Sequence, residues 1–359
     1  MRRAMSCKRG TLDTGRVIIY KMLKIIGGFD VCAIGAGTRD VFIKSTHFER
    51  TPDADAPDGF NACFPMGAKI ALDEVIFETG GGATNAAVTL RRFGLKTTCV
   101  CSLGQDQNAQ DVIRVLKDNR VDTRGIQIKS DFKTAYSIIL LAGSGQRSIL
   151  VYRGAANKLN LQQLPWSKIR SRWTYLTSLG GDLKKNKDII NHTRRLNSKL
   201  AWNPGNNELR LGLAKLKPLI QQTHILILNR EESAMLAATG PSNLNKIVKT
   251  LGQLPIAALV ITDGKKGAYV YDVQNREFLF SPALPGKRIN TTGAGDAFGS
   301  GFTAGYIKTQ DCSVGLRTGM LNSLGVITHM GAKAGILKQY PSDSQMKKVK
   351  IKYLKISGK

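Results

Sequence analysis

Histidine is scarce in this chain, and acid is scarcer than base. The four histidines (His47, His192, His224 and His329) show no ligand spacing, so nothing argues for a zinc site or a histidine base. Six cysteines are present (7, 32, 63, 99, 101 and 312), and Cys99-x-Cys101 is too close for the usual zinc knuckle. Several lie in apolar runs, where a free thiol behaves as a small hydrophobe, and a reducing, cytoplasmic setting is expected. No apolar run is long enough for a transmembrane helix. Arg2, Arg3, Lys8 and Arg9 followed by Val17-Ile18-Ile19-Tyr20 have the outline of a signal peptide. Lys21 and Lys24 interrupt it and no small-residue cleavage site follows, so residues 1–28 are expected to be a disordered basic extension, with Met22 a candidate later start.

Against 53 lysines and arginines stand only 26 acidic residues, a formal charge of +27. Residues 1–28 and 338–359 each carry seven basic side chains against a single aspartate, which leaves +15 for the region between. Such a balance suits nucleic acid or another anionic partner. No aromatic–basic stacking motif accompanies it, so nucleic-acid binding is the minority reading.

What the chain does have is glycine, 37 of 359 residues, within a composition that is 42% apolar. This length allows a sizeable core in one large or two modest domains. Phe29–Gly35 reads as a buried first strand. From Trp173 onward, strands (Tyr175–Leu179, Lys199–Trp202, His224–Leu228, Ala257–Thr262) alternate with helices near 184–197, 207–220, 231–239 and 242–253. That alternation predicts an α/β fold with a doubly wound, mostly parallel sheet. Asp111–Asn119 has helical spacing. Thr134–Leu141 and Arg147–Arg153, joined by Gly143-Ser144-Gly145, read as a hairpin. Residues 41–79 lack helical periodicity; 68–78 looks strand-like and 44–66 irregular.

Asn290-Thr291-Thr292-Gly293-Ala294-Gly295-Asp296 leads into a small-residue apolar run that reads as a helix from about Gly295. The free N–H groups of a helix start favour an anion, and glycines at 293 and 295 permit positive φ and close approach of a phosphate. Asp296 beside such a site incurs repulsion, which a role in taking a proton from an incoming hydroxyl would explain. Gly299, Gly301 and Gly305 each weaken the helix by about 1 kcal/mol relative to alanine. Close packing against a sheet or ligand would account for them. Gly35-Ala36-Gly37-Thr38-Arg39-Asp40 fails as a dinucleotide fingerprint because Asp40 stands where the third glycine belongs. A carboxylate at that strand end could instead accept hydrogen bonds from two substrate hydroxyls. Asn229 and Glu232, three apart after a strand, suit a capping box.

The 290–296 segment closely resembles the second signature of the ribokinase-like (PfkB) carbohydrate kinases, Asp-Thr-Thr-Gly-Ala-Gly-Asp. Gly80-Gly81-Gly82-Ala83-Thr84-Asn85 with Phe93-Gly94-Leu95 and Thr98–Asp106 resembles the first. The resemblance covers about residues 29–337. It implies a three-layer kinase domain over 29–338 with a small β-sheet lid from about 38–79 and 130–153; the lysine-rich residues 339–359 are expected to be a basic C-terminal tail. It makes Gly293, Ala294 and Gly295 the anion hole and Asp296 the catalytic base of an ATP-dependent phosphotransferase. Asp40, Gly81, Gly82 and Asn85 would hold a sugar acceptor, although many sugar kinases of the group carry lysine where Gly82 stands. Asn229 and Glu232 would organise magnesium and phosphates. Thr262, Gly264, Gly267 and Asn322 would line the nucleotide. Asn290 replaces the family's aspartate, which leaves monovalent-cation dependence open. A nucleoside acceptor and a homodimer formed through the lid are also compatible, and a non-catalytic regulator is the alternative from another class.

Overall fold

The computed structural model describes residues 28–56, 59–141 and 147–356. The expected extension at 1–27 and the centre of the expected hairpin loop lie outside them. Nine strands form the main sheet, in the order Lys352–Leu354, Glu277–Pro282, Gly267–Asp272, Ala258–Thr262, Ile225–Asn229, Lys199–Asn203, Ser171–Thr177, Phe29–Ile34 and Thr97–Val100. The last six in that order run parallel to one another, and the first three are added antiparallel. Runs such as Ala258–Val260 are buried throughout, as a sheet covered on both faces requires.

Alternation along each strand divides the core. Ile34, Leu176, Trp202, Leu226 and Leu259 face one way, onto the helices Leu183–Arg195, Gly212–Ile220 and Leu244–Leu251. Val31, Tyr175, Ala201, Ile225 and Val260 face the other, onto the helices Ala294–Thr309 and Cys312–Ile327, with Gly82–Arg92 alongside. The result is three layers.

The helical glycines now have a cause. A Cβ on Gly305 would lie 2.8 Å from Thr318 Oγ1 and 2.9 Å from Gly315 Cα, and one on Gly301 would lie 3.1 Å from Gly319 Cα. Ala294–Thr309 and Cys312–Ile327 therefore meet backbone to backbone, while Gly299 makes room for the Tyr175 hydroxyl.

A separate four-stranded sheet, in the order Arg147–Tyr152, Ala135–Leu141, Thr38–Lys44 and Glu74–Gly80, supplies the lid. Between its strands a small hairpin, Glu49–Pro52 with Phe60–Cys63, gives the irregular 44–66 stretch its structure. Two expectations are corrected here. The helix expected over 207–220 is two, Asn206–Leu209 and Gly212–Ile220, separated at Gly212, whose φ is +79°. Residues 339–356 are no tail: Asp343–Lys347 is helical, Met346 and Val349 are buried, and Lys352–Leu354 closes the sheet edge.

Candidate active site

The parallel strands end on Thr177, Asn203, Asn229 and Thr262, and the loops that follow them form one rim. Open α/β sheets bind ligands at such carboxyl ends. The helix Ala294–Thr309 points its first turn there. Gly293 caps it with φ +79° and without a side-chain bond, and a Cβ at that position would overlap Ala332. The Ala294 amide is weakly held by the Thr291 carbonyl at 3.2 Å. The amides of Gly293, Gly295 and Asp296 find no acceptor among the described residues. A Cβ on Gly295 would meet nothing within 4 Å, so these donors open onto free space. Asn290 shapes the turn by accepting from the Thr292 amide at 2.6 Å.

That space continues into a cavity of about 210 Å³. Thr262, Gly264, Gly267 and Gly295 border one part of it, with Lys265 and Arg288 adding positive charge. Leu284, Met320, Leu324 and Ile327 line an apolar part. A cavity lined by backbone amides, cations and aliphatic side chains is suited to a nucleotide's phosphates and base.

Asp296 also belongs to a cluster of polar side chains, most of them buried. Asn85 Nδ2 donates to Asp296 Oδ2 at 2.8 Å, joining two glycine-rich segments 211 residues apart. Asp40 is buried, takes a hydrogen bond from Thr38 Oγ1 at 3.0 Å, and lies against Gly80, where any Cβ would strike its carboxylate. Burial pushes the Asp296 carboxyl above the usual carboxylate range; the Asn85 bond and Lys333 pull it back, and Asp40 pushes it further up. A carboxylate whose charged form is so destabilised is a better proton acceptor than an exposed one.

Of the residues singled out in the sequence, Asp40, Asn85 and Asp296 come together in this cluster, and Thr262, Gly264, Gly267, Ala294 and Gly295 line the cavity. Gly81, at φ +96°, packs against the Ala36 carbonyl. A side chain at Gly82 would meet Thr177 Oγ1 at 2.9 Å, so Gly82 can offer a ligand only backbone. Asn229 and Glu232 form the reciprocal capping box: Glu232 N donates to Asn229 Oδ1 at 2.7 Å, and Asn229 N to Glu232 Oε2 at 2.8 Å. Asn229 is thereby a capping residue. Glu232 remains half-buried, its carboxyl raised by burial and by the charges of Glu231 and Asp296 despite the Asn229 bond. Asn322, expected at the nucleotide, is not there. It is fully buried, donates to the Ala297 carbonyl at 2.8 Å and Thr89 Oγ1 at 3.2 Å, and accepts from the Leu337 amide at 3.1 Å. With both ends of its amide engaged, it ties the helices together.

Three residues escaped the sequence reading. Arg288 lines the cavity. Arg147, on the lid, donates to Thr291 Oγ1 and links the lid to the anion turn. Lys333 is buried and donates to Asn85 Oδ1 at 2.6 Å and to the Thr79 carbonyl at 2.8 Å. The available signal for Lys333 was a lone cation within the small, apolar stretch Gly331-Ala332-Lys333-Ala334-Gly335-Ile336.

Sequence comparison matches the pfkB family carbohydrate kinases over residues 64–338. Cytidine kinase from Thermococcus kodakarensis is 24% identical over 269 residues, 75% of this chain and 92% of the relative. Ribokinase from Mus musculus is 27% identical over 238 residues, 65% of this chain and 72% of the relative. In fold, the chain superimposes on Arabidopsis thaliana ribokinase, solved with ribose and ATP, with a TM-score of 0.71 at 18% identity, covering 89% of this chain and 98% of that one. The protein belongs to the pfkB family of carbohydrate kinases. It is thus a phosphotransferase, and the expected ribokinase-like fold is the observed one.

Proposed function

We propose that the protein transfers the γ-phosphoryl of ATP to a hydroxyl of a sugar, with Asp296 as general base. The observation that carries this reading is the bond between Asn85 and Asp296 at 2.8 Å, made by the residue that directly follows the 293–295 turn. An acceptor hydroxyl held by Asp40 and Asn85 would lose its proton to Asp296 as it attacks. The amides of Gly293, Ala294 and Gly295 would stabilise charge on the transferred phosphoryl, the Ala294 amide leaving its weak bond to Thr291. Thr262, Gly264 and Gly267 would carry the nucleotide with Lys265 and Arg288. The lid would exclude water, which otherwise competes for the phosphoryl.

Magnesium fits Glu232. Its half-buried carboxylate, near enough to Asp296 for the two charges to act on each other, would be the protein's ligand to an ion that takes one or two carboxylates together with phosphates and waters. Bound there, it would neutralise phosphate charge, and its proximity would relieve the cost of burying the Glu232 carboxylate.

A nucleoside acceptor is the second reading, favoured by the likeness to cytidine kinase. We also propose a homodimer through the lid, supported by apolar side chains left exposed on it: Phe77 is 58% and Leu150 56% accessible, with Val75, Ile149 and Val151 beside them. A cytoplasmic setting is supported by the five described cysteines, all of them unpaired.

The test is magnesium-dependent ADP release across pentoses, hexoses, sugar phosphates and nucleosides, for wild type and Asp296→Asn. One responding acceptor, silent in the variant, supports the proposal. No response from any, together with steeply salt-dependent RNA or DNA binding, would favour the regulator instead.

A further inference from the structure

Lys333 lies in the stretch that follows Cys312–Ile327 and is only 5% exposed. Its ammonium reaches two elements at once, the Thr79 carbonyl at the end of a lid strand and Asn85 Oδ1 on the helix Gly82–Arg92. Around it stand Asp40 from Thr38–Lys44, Glu78 from Glu74–Gly80, Asp296 from Ala294–Thr309, and the buried thiol of Cys99. Arg39, next to Asp40, also acts on Glu78, but its guanidinium is paired with Asp111 at 3.4 Å.

The chemistry of the three bonded side chains leaves one arrangement. An ammonium can only donate and a carboxylate can only accept. Asn85 lies between them, so its oxygen must face Lys333 and its nitrogen Asp296. The second N–H of the same amide is then free for an acceptor oxygen. Without the ammonium nothing described bonds the Asn85 oxygen, and the amide is free to turn.

We propose that Lys333 is a positioning residue of the acceptor pocket. It fixes the Asn85 amide against the base and leaves the second N–H of that amide for an oxygen of the acceptor. This rests on the kinase reading of the site. Burial pulls the ammonium down to about 8 while the carboxylates around it hold it up.

The experiment compares wild type with Lys333→Met and with Lys333→Gln, which keeps an N–H donor but no charge. With the acceptor that responds, Lys333→Met should lose about tenfold in kcat, the worth of one hydrogen bond to a charged partner, with the KM for ATP unchanged. Lys333→Gln should recover most of that loss. In both variants the acid limb of the kcat/KM profile should move to higher pH, because Asp296 has lost a nearby cation. Equal kcat in all three proteins would overturn the proposal. A second readout needs no turnover. The Asp296 carboxyl, identified by ¹³C NMR from its absence in Asp296→Asn, should titrate at higher pH in both variants, and an unmoved titration refutes the proposal. If no acceptor responds in wild type, the kinase reading fails while this titration still decides the role of Lys333. If Lys333→Met does not fold, Lys333→Gln decides it by the same titration.

Discussion

Gly295→Ala separates the anion site from the fold. Position 295 is helical, its φ is not in the left-handed region, and an added Cβ would meet nothing within 4 Å. Replacing a helical glycine by alanine stabilises by up to about 1 kcal/mol, so the variant should unfold at or above the wild-type denaturant midpoint. On the proposed mechanism, however, the methyl would project into the space in which the transferred phosphoryl approaches the amides. Displacing a reacting group by about 1 Å can cost about 10²-fold in rate, or near 3 kcal/mol of barrier. Gly293→Ala is the control with the opposite signature. There φ is +79° and the new Cβ overlaps Ala332, so stability should fall along with activity. The assay pairs urea unfolding with initial-rate measurement of ADP formation. Gly295→Ala with full turnover would show that phosphoryl transfer does not use this helix start.

Asp296→Asn should lower turnover by about 10²–10⁴. Since burial raises the Asp296 carboxyl, wild-type activity should fall away, as pH drops, above the usual carboxylate range. The folded protein keeps this proton where the unfolded chain has lost it, so the charged form costs stability at neutral pH, and the variant should be as stable or more so. Gly305→Ala should destabilise by about 1–2 kcal/mol in urea unfolding, the added methyl pressing on Thr318 and Gly315 by more than helix propensity returns. Glu208 is fully buried and accepts from Ser178 Oγ at 2.8 Å and from the amides of Leu179, Gly181 and Gly205 at 2.7, 3.0 and 3.1 Å. Glu208→Ala leaves all of these unpaired and should lower stability by about 3 kcal/mol or more, measured by calorimetry.

The parallel strands and the two glycine-rich turns were legible in the sequence because their causes are local: apolar runs, turn glycines, and an uncapped helix start. The meeting of Asn85 with Asp296 followed from resemblance to a family, since no local pattern joins positions so far apart. Lys333 was invisible for that reason: its role comes from three elements converging in space. The lysine-rich end misled because charge suggested a tail. Lys352–Leu354 is instead a short edge strand, where exposed lysine is compatible with pairing on one side. Asn322 misled because proximity to the nucleotide segment said nothing about burial. Glycines 299, 301 and 305 pointed to close packing on a sheet or a ligand, but the second helix that Gly301 and Gly305 pack on appears only in three dimensions.

The most direct test of Asp296 as the base of a phosphotransfer is ³¹P NMR of ATP, magnesium and a panel of neutral sugars and nucleosides with the enzyme. The account predicts a new phosphomonoester signal on one acceptor, growing as ADP appears and absent over the same period with Asp296→Asn. A phosphomonoester formed equally fast by the variant would contradict it.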